Sequence, residues 1–150
     1  CEHALKLRSL MPANKKRLPI ALVGVNPHAG EEGLIGREEI TLMKPLIQKF
    51  KKRGIQIAGP LVPDAAFLLP MRNQYSVFIC PYHDQGLIPF KLVHGFDQGV
   101  HLTMGLPFVR TSVDHGTAKD IFGKNQAQEG SMLEALRVAI RLVQQERGLS

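Results

Sequence analysis

One run of residues, Pro19-Ile20-Ala21-Leu22-Val23-Gly24-Val25, limits the possible folds of this chain more than any other. It is apolar without alternation, so neither of its faces suits water. Such a run fits a strand covered on both sides, as in a parallel sheet clothed by helices. It breaks into a polar, glycine-rich loop, Asn26-Pro27-His28-Ala29-Gly30-Glu31-Glu32-Gly33. Residues 37–53 then carry Ile40, Met43, Ile47 and Phe50 at helical spacing, with Gly54 as the stop. Pro45 inside this helix removes a backbone hydrogen bond and predicts a bend. Further strands are expected over 55–58, 76–80, 100–104 and 108–112, with a short helix around 64–69. At the end of the chain, Ser131 and Glu134 have capping-box spacing, and Met132, Leu133, Leu136, Ile140 and Val143 make one apolar stripe. Strands alternating with helices define the α/β class, with a mainly parallel sheet flanked by helices.

Composition narrows the functional classes. The 44% hydrophobic content fits a globular core, and no apolar run approaches the ~18 residues of a membrane span. Without a signal-peptide pattern the expected compartment is the cytoplasm. The formal net charge of +6 raises the question of nucleic acid. Much of it, however, is local: Lys15-Lys16-Arg17 in a linker, and Lys49, Lys51, Lys52 and Arg53 where cations oppose a helix dipole. No tryptophan is present and no aromatic residues interleave the basic ones, so neither nucleic acid nor membrane is expected as a partner. Cys80 ends an apolar strand and reads as a buried thiol, and Cys1 sits at the terminus, so no disulfide framework is expected. The chain opens on Cys rather than Met, and residues 1–10 read as the end of a helix already under way. A piece of something longer is the expectation.

The chemistry gathers in two strand-end segments and a later basic stretch. His28 and His83 each follow an apolar strand, and the two strands suit neighbouring places in one sheet. Open α/β sheets hold ligands at such strand ends. Isolated loop histidines are commonly structural or solvated; two of them, with Asp64 and Asp84 to complete or orient the shell, form a moderate signal for a divalent ion. Lys91 and Arg110 lie in glycine- and proline-rich surroundings and suit a phosphate or carboxylate. The loop His115-Gly116-Thr117-Ala118, before an expected helix start, suits contact with an adenosine or pyrophosphate group.

Four motifs in order complete the reading: Asn26-Pro27-His28-Ala29-Gly30-Glu31, Tyr82-His83-Asp84-Gln85-Gly86, Gly105-Leu106-Pro107-Phe108-Val109-Arg110-Thr111-Ser112, and Asp114-His115-Gly116-Thr117-Ala118. Over residues 19–145 the chain resembles the 4-hydroxythreonine-4-phosphate dehydrogenase family, of the isocitrate/isopropylmalate dehydrogenase-like fold. The resemblance implies oxidation of a secondary alcohol by NAD or NADP, then decarboxylation, on the route to pyridoxal 5′-phosphate. It implies a divalent metal (Zn, Mg, Mn or Co) on His28 and His83, with a third histidine elsewhere, and Asp64 and Asp84 as acidic positions nearby. It also implies substrate contacts at Lys91 and Arg110, a cofactor loop at His115, Gly116, Thr117 and Ala118, and a homodimer.

Family members are much longer, so the resemblance implies a partial chain. Residues 1–104 correspond to the second domain, with metal, substrate and dimer contacts, and residues 105–150 to a returning tail whose apolar helix lacks its usual neighbour. The isolated chain is then expected to be inactive, and the catalytic base is unassigned. His101 stands where classical members carry a substrate-binding asparagine. It keeps open a paralogue acting on threonate or erythronate 4-phosphate. A non-catalytic metal-binding dimerisation module is the reading from a different class.

Overall fold

The computed structural model describes residues 2–95 and 97–148 and divides the chain into two compact units, 1–89 and 90–150. In the first, helix α1 (Glu2–Ser9) and a single turn, α2 (Ala13–Lys16), precede strand β1 (Ile20–Val23), which is buried at every position. The apolar run is therefore the central strand. It pairs in parallel with β2 (Ile57–Leu61) on one side and β3 (Val77–Ile79) on the other, in the order β2-β1-β3.

Between β1 and β2 the chain makes one wide helical turn over Glu39–Met43 and continues as α3 (Lys44–Lys52). Pro45 is interior to this continuous helix, directly after the wide turn, so its missing N–H falls where the hydrogen-bond ladder is already irregular. Met43, Ile47 and Phe50 bury one stripe against Ile20, Leu22, Ile57 and Val77, and α1 adds Ala4, Leu5 and Leu7 to this core. The strand expected at 55–58 starts two residues later and continues to Leu61; the short helix is α4 (Leu69–Arg72), beyond a turn that holds Asp64.

Helix α5 (His83–His94) was expected as a loop at its start. Its interior Gly86 and Pro89 hide it from any propensity argument. In the second unit β4 (Val100–Thr103) and β5 (Arg110–Val113) form an antiparallel ribbon, so the parallel expectation holds for β1–β3 and not for this pair. Helix α6 (Gly130–Glu146) packs on the ribbon. The capping box does not form: Glu129 precedes the helix, and the Ser131 hydroxyl instead donates to the Gly99 carbonyl at 2.7 Å. The buried face of α6 is that of Ser131 and Ala135, small enough for the helix to approach the ribbon, and Thr111 Oγ1 donates to the Ala135 carbonyl at 2.9 Å. Met132, Leu133, Leu136 and Ile140 are left exposed. No described helix is long and apolar enough to cross a membrane.

Candidate functional site

The two histidine-bearing segments leave the C-terminal ends of adjacent parallel strands, β1 and β3. A hydrogen bond ties these ends together. Gln85, in the first turn of α5, is buried and donates from Nε2 to the Gly24 carbonyl at 2.6 Å. Its Oε1 is buried without a hydrogen-bond partner among the described residues. An orphaned acceptor of this kind is normally met by an internal water or an approaching donor.

The backbone around His28 is unusual. His28, Ala29, Gly30, Glu31 and Glu32 all have positive φ, from +45° to +82°, forming a left-handed turn. For L-residues such a turn costs about 1–2 kcal/mol per residue, so something must hold it. Backbone bonds close it, from the Ala29, Leu34 and Ile35 N–H groups to the Asn26, Glu31 and Gly30 carbonyls, and its start is fastened by Glu39, which the sequence reading passed over. Glu39 is 1% exposed, and its Oε1 accepts the N–H groups of Val25 and Asn26, each at 2.8 Å. Its Oε2 accepts the Asn26 side-chain amide at 2.9 Å, and the same amide nitrogen donates to Glu38 Oε2 at 2.7 Å. A usable signal existed: Glu39 lies four residues before Met43 and eight before Ile47, a carboxylate on the apolar stripe.

Burial pushes the Glu39 carboxyl up, but the bonds from Asn26 and Val25 together outweigh it and hold the group below its usual 4.5. A carboxyl lowered by folding contributes stability above its unfolded pKa and loses it as pH falls through the folded one. The loop 25–33 is therefore expected to stay ordered at neutral pH and to loosen on acidification below about 4.5. Amide NMR signals of Val25 and Asn26 should shift within that acid window; signals unchanged down to pH 2 would count against this account.

His28, His83, Asp64 and Asp84 are all exposed. In kind they fit a borderline divalent ion: two imidazoles on tied strand ends, with carboxylates on the same unit. Among the described residues no three His, Cys, Asp or Glu side chains come together to hold an ion. The described side chains of this chain do not by themselves assemble an ion site. Cys80 adds nothing to it: it is half-buried rather than buried as expected, and desolvation pushes its thiol up and keeps it uncharged.

In the second unit, Lys91 Nζ meets Asp114 Oδ2 at 3.0 Å and the Asp114 carbonyl at 2.5 Å. Asp114 in turn meets the Ser131 hydroxyl through its N–H and through Oδ1. Arg110 and Thr103 face each other across the ribbon, and Arg110 Nη1 donates to Thr103 Oγ1 at 2.7 Å, which steadies an otherwise exposed guanidinium. His101 is exposed opposite Ser112. His115, Gly116, Thr117 and Ala118 are exposed, and their hydrogen bonds are local: His115 Nδ1 meets the Gly116 carbonyl at 3.0 Å, and the Ile121 N–H donates to the Ala118 carbonyl at 3.1 Å. The helix expected after this loop is a single 3-10 turn (Lys119–Ile121), entered through left-handed Ala118. One such turn aligns too few peptide dipoles to attract a pyrophosphate, so any contact there falls to the loop itself.

Comparison with known proteins finds relatives that are named dehydrogenases. The chain is 58% identical over 119 residues to the 4-hydroxythreonine-4-phosphate dehydrogenase of Aquifex aeolicus, covering 79% of this chain and 36% of that protein. It is 49% identical over 123 residues to the D-threonate 4-phosphate dehydrogenase of Pectobacterium atrosepticum, covering 82% of this chain and 37% of that protein. The crystal structure of the Klebsiella pneumoniae 4-hydroxythreonine-4-phosphate dehydrogenase matches with a TM-score of 0.74 at 41% identity, over 95% of this chain and 42% of that one. Residues 4–139 match the profile of the pyridoxal phosphate biosynthetic protein PdxA, and the chain belongs to that family. It spans little more than a third of the length of these curated relatives.

Proposed function

We propose that this chain is the C-terminal part of a divalent-metal- and NAD(P)-dependent dehydrogenase that oxidises 4-hydroxythreonine 4-phosphate. One observation supports it most: His28 and His83 leave adjacent parallel strands tied by the Gln85–Gly24 hydrogen bond, in a chain 58% identical to an enzyme of that name. In this reading His28 and His83 hold the ion, and Asp64 and Asp84 orient or complete its shell. Residues 1–104 belong to the metal- and substrate-binding domain, and residues 105–150 to the returning segment. The remaining ligands and the catalytic base come from outside these residues. The protein works as a cytoplasmic homodimer, and the separate chain is inactive.

A bound ion would polarise the substrate oxygen, and the nicotinamide would take the hydride from the alcohol carbon. The chain's own groups bind and orient. Arg110, steadied by Thr103, offers a forked donor to phosphate or carboxylate, and Lys91 a compact charge whose ammonium is held by Asp114. His115, Gly116, Thr117 and Ala118 contact the adenosine side of the cofactor.

A second reading, D-threonate 4-phosphate as substrate, is favoured by His101 and by the 49% identical relative. An imidazole donates a hydrogen bond with different reach from an amide, so this position bears on the choice of acid. The test is nicotinamide reduction by the full-length gene product, with each substrate, each nicotinamide and added Zn²⁺, Mg²⁺, Mn²⁺ or Co²⁺. Faster turnover of the amino acid phosphate is expected. Preference for the sugar acid assigns the second reading, and no reduction with either rejects both.

A further inference from the structure

We propose that Glu39 is a positioning residue for His28, setting the backbone of the ligand loop before any ion arrives; this rests on His28 being a metal ligand. Its carboxylate is fastened to the loop at its start, through the N–H groups of Val25 and Asn26, and at the Asn26 amide. Midway along, Gly30 packs so tightly that a Cβ there would lie 2.7 Å from Oε2. The partners of this carboxylate all belong to the loop, while the hydrophobic core lies among Ile20, Leu22, Met43, Ile47, Phe50, Ile57 and Val77. A buried charge is a poor way to gain stability alone, since an apolar side chain of that size commonly does as well. What the carboxylate supplies is a pair of acceptors aimed at loop donors. It holds the left-handed turn in one geometry, so that ligand binding need not order it.

The isosteric Glu39→Gln variant cannot reproduce this pattern. With its oxygen toward Val25 and Asn26, its NH₂ faces the NH₂ of Asn26, donor against donor. Turning the Asn26 amide over would set its oxygen against the Glu38 carboxylate, now 2.7 Å from that nitrogen. Pairing Glu39→Gln with Asn26→Asp restores a donor facing an acceptor, and exposed Glu38 is able to swing aside.

The test uses the metal-free full-length gene product titrated with Zn²⁺ alone, and with Co²⁺ for its visible spectrum. Glu39→Gln is expected to weaken Zn²⁺ binding 10–100-fold, the usual cost of losing a group that orients a metal ligand. At saturating Co²⁺ its ligand-field bands should differ from the parent's, a change that reports ligand geometry rather than fold. Most of the affinity should return in Asn26→Asp/Glu39→Gln. His28→Ala is measured beside them. If His28→Ala binds weakly while Glu39→Gln binds as the parent does, positioning by Glu39 is overturned and the metal reading stands. If His28→Ala binds as the parent does, the metal reading falls and takes this proposal with it. Should Glu39→Gln fail to fold, Asn26→Ala removes only the amide anchor; an unchanged affinity and Co²⁺ spectrum in that variant overturns the proposal equally.

Discussion

Gly59→Ala is expected to destabilise the protein by about 4 kcal/mol, adding a strained backbone to an overpacked contact. Gly59 has φ +133°, a conformation closed to side chains, and a Cβ there would lie 2.3 Å from the Leu22 carbonyl oxygen. The neighbour is strand backbone and cannot step aside. Register explains the crowding: Ile20 and Ala21 pair with Ile57 and Ala58, but Val23 pairs with Leu61, so the two residues Gly59 and Pro60 lie opposite Leu22 alone. That irregularity lets β2 bulge beside β1 and then resume, and the Gly24 N–H donates to the Leu61 carbonyl at 2.8 Å just before the His28 loop begins. A cost of this size is a large part of a typical folding free energy. Urea unfolding of the full-length protein, followed by circular dichroism, measures it. A change below about 1 kcal/mol would show that the strand pair tolerates a side chain there.

How much of this was legible beforehand depended on whether one physical signal acted alone. The strand run at 19–25 was legible because continuous apolarity has few other uses, and the histidines after two strands fell at strand ends as that reading required. Helix α5 was not. Its start carries the ligand-like pair His83-Asp84, and Gly86 and Pro89 argue against helix; burial of Gln85 and its bond to Gly24 are tertiary gains that no local rule contains. Ser131 had the spacing of a cap, yet the Gly99 carbonyl and the Asp114 N–H compete for the same hydroxyl and win. The stripe Met132, Leu133, Leu136 and Ile140 was read correctly as apolar, but periodicity does not say which face a ribbon takes; it took Ser131 and Ala135. Glu39 escaped because a carboxylate at a helix start has an ordinary explanation in the dipole. Only the left-handed turn beside it shows why it turns inward.

The same turn gives the second large effect. Gly30→Ala is expected to cost about 3 kcal/mol, combining a left-handed alanine with a contact that has no room. Alanine at φ +82° is itself unfavourable, and a Cβ would sit 2.7 Å from both Glu39 Oε2 and the Gly36 carbonyl oxygen. Relief by moving Glu39 breaks its bonds to Val25 and Asn26. Relief by moving residue 36 meets Asn26, since a Cβ at Gly36 would itself lie 2.2 Å from Asn26 Nδ2. The three segments 24–26, 30 and 36–39 lock one another, so either escape loosens the backbone that carries His28. Ala29, also left-handed at φ +54°, supplies the contrast: Ala29→Gly lifts the backbone penalty and should be neutral or mildly stabilising by a few tenths of a kcal/mol. Paired urea titrations of the two variants separate strain from fit. A loss at position 30 no larger than about 0.5 kcal/mol would mean that the Glu39 carboxylate is free to move, and the lock described here would fall.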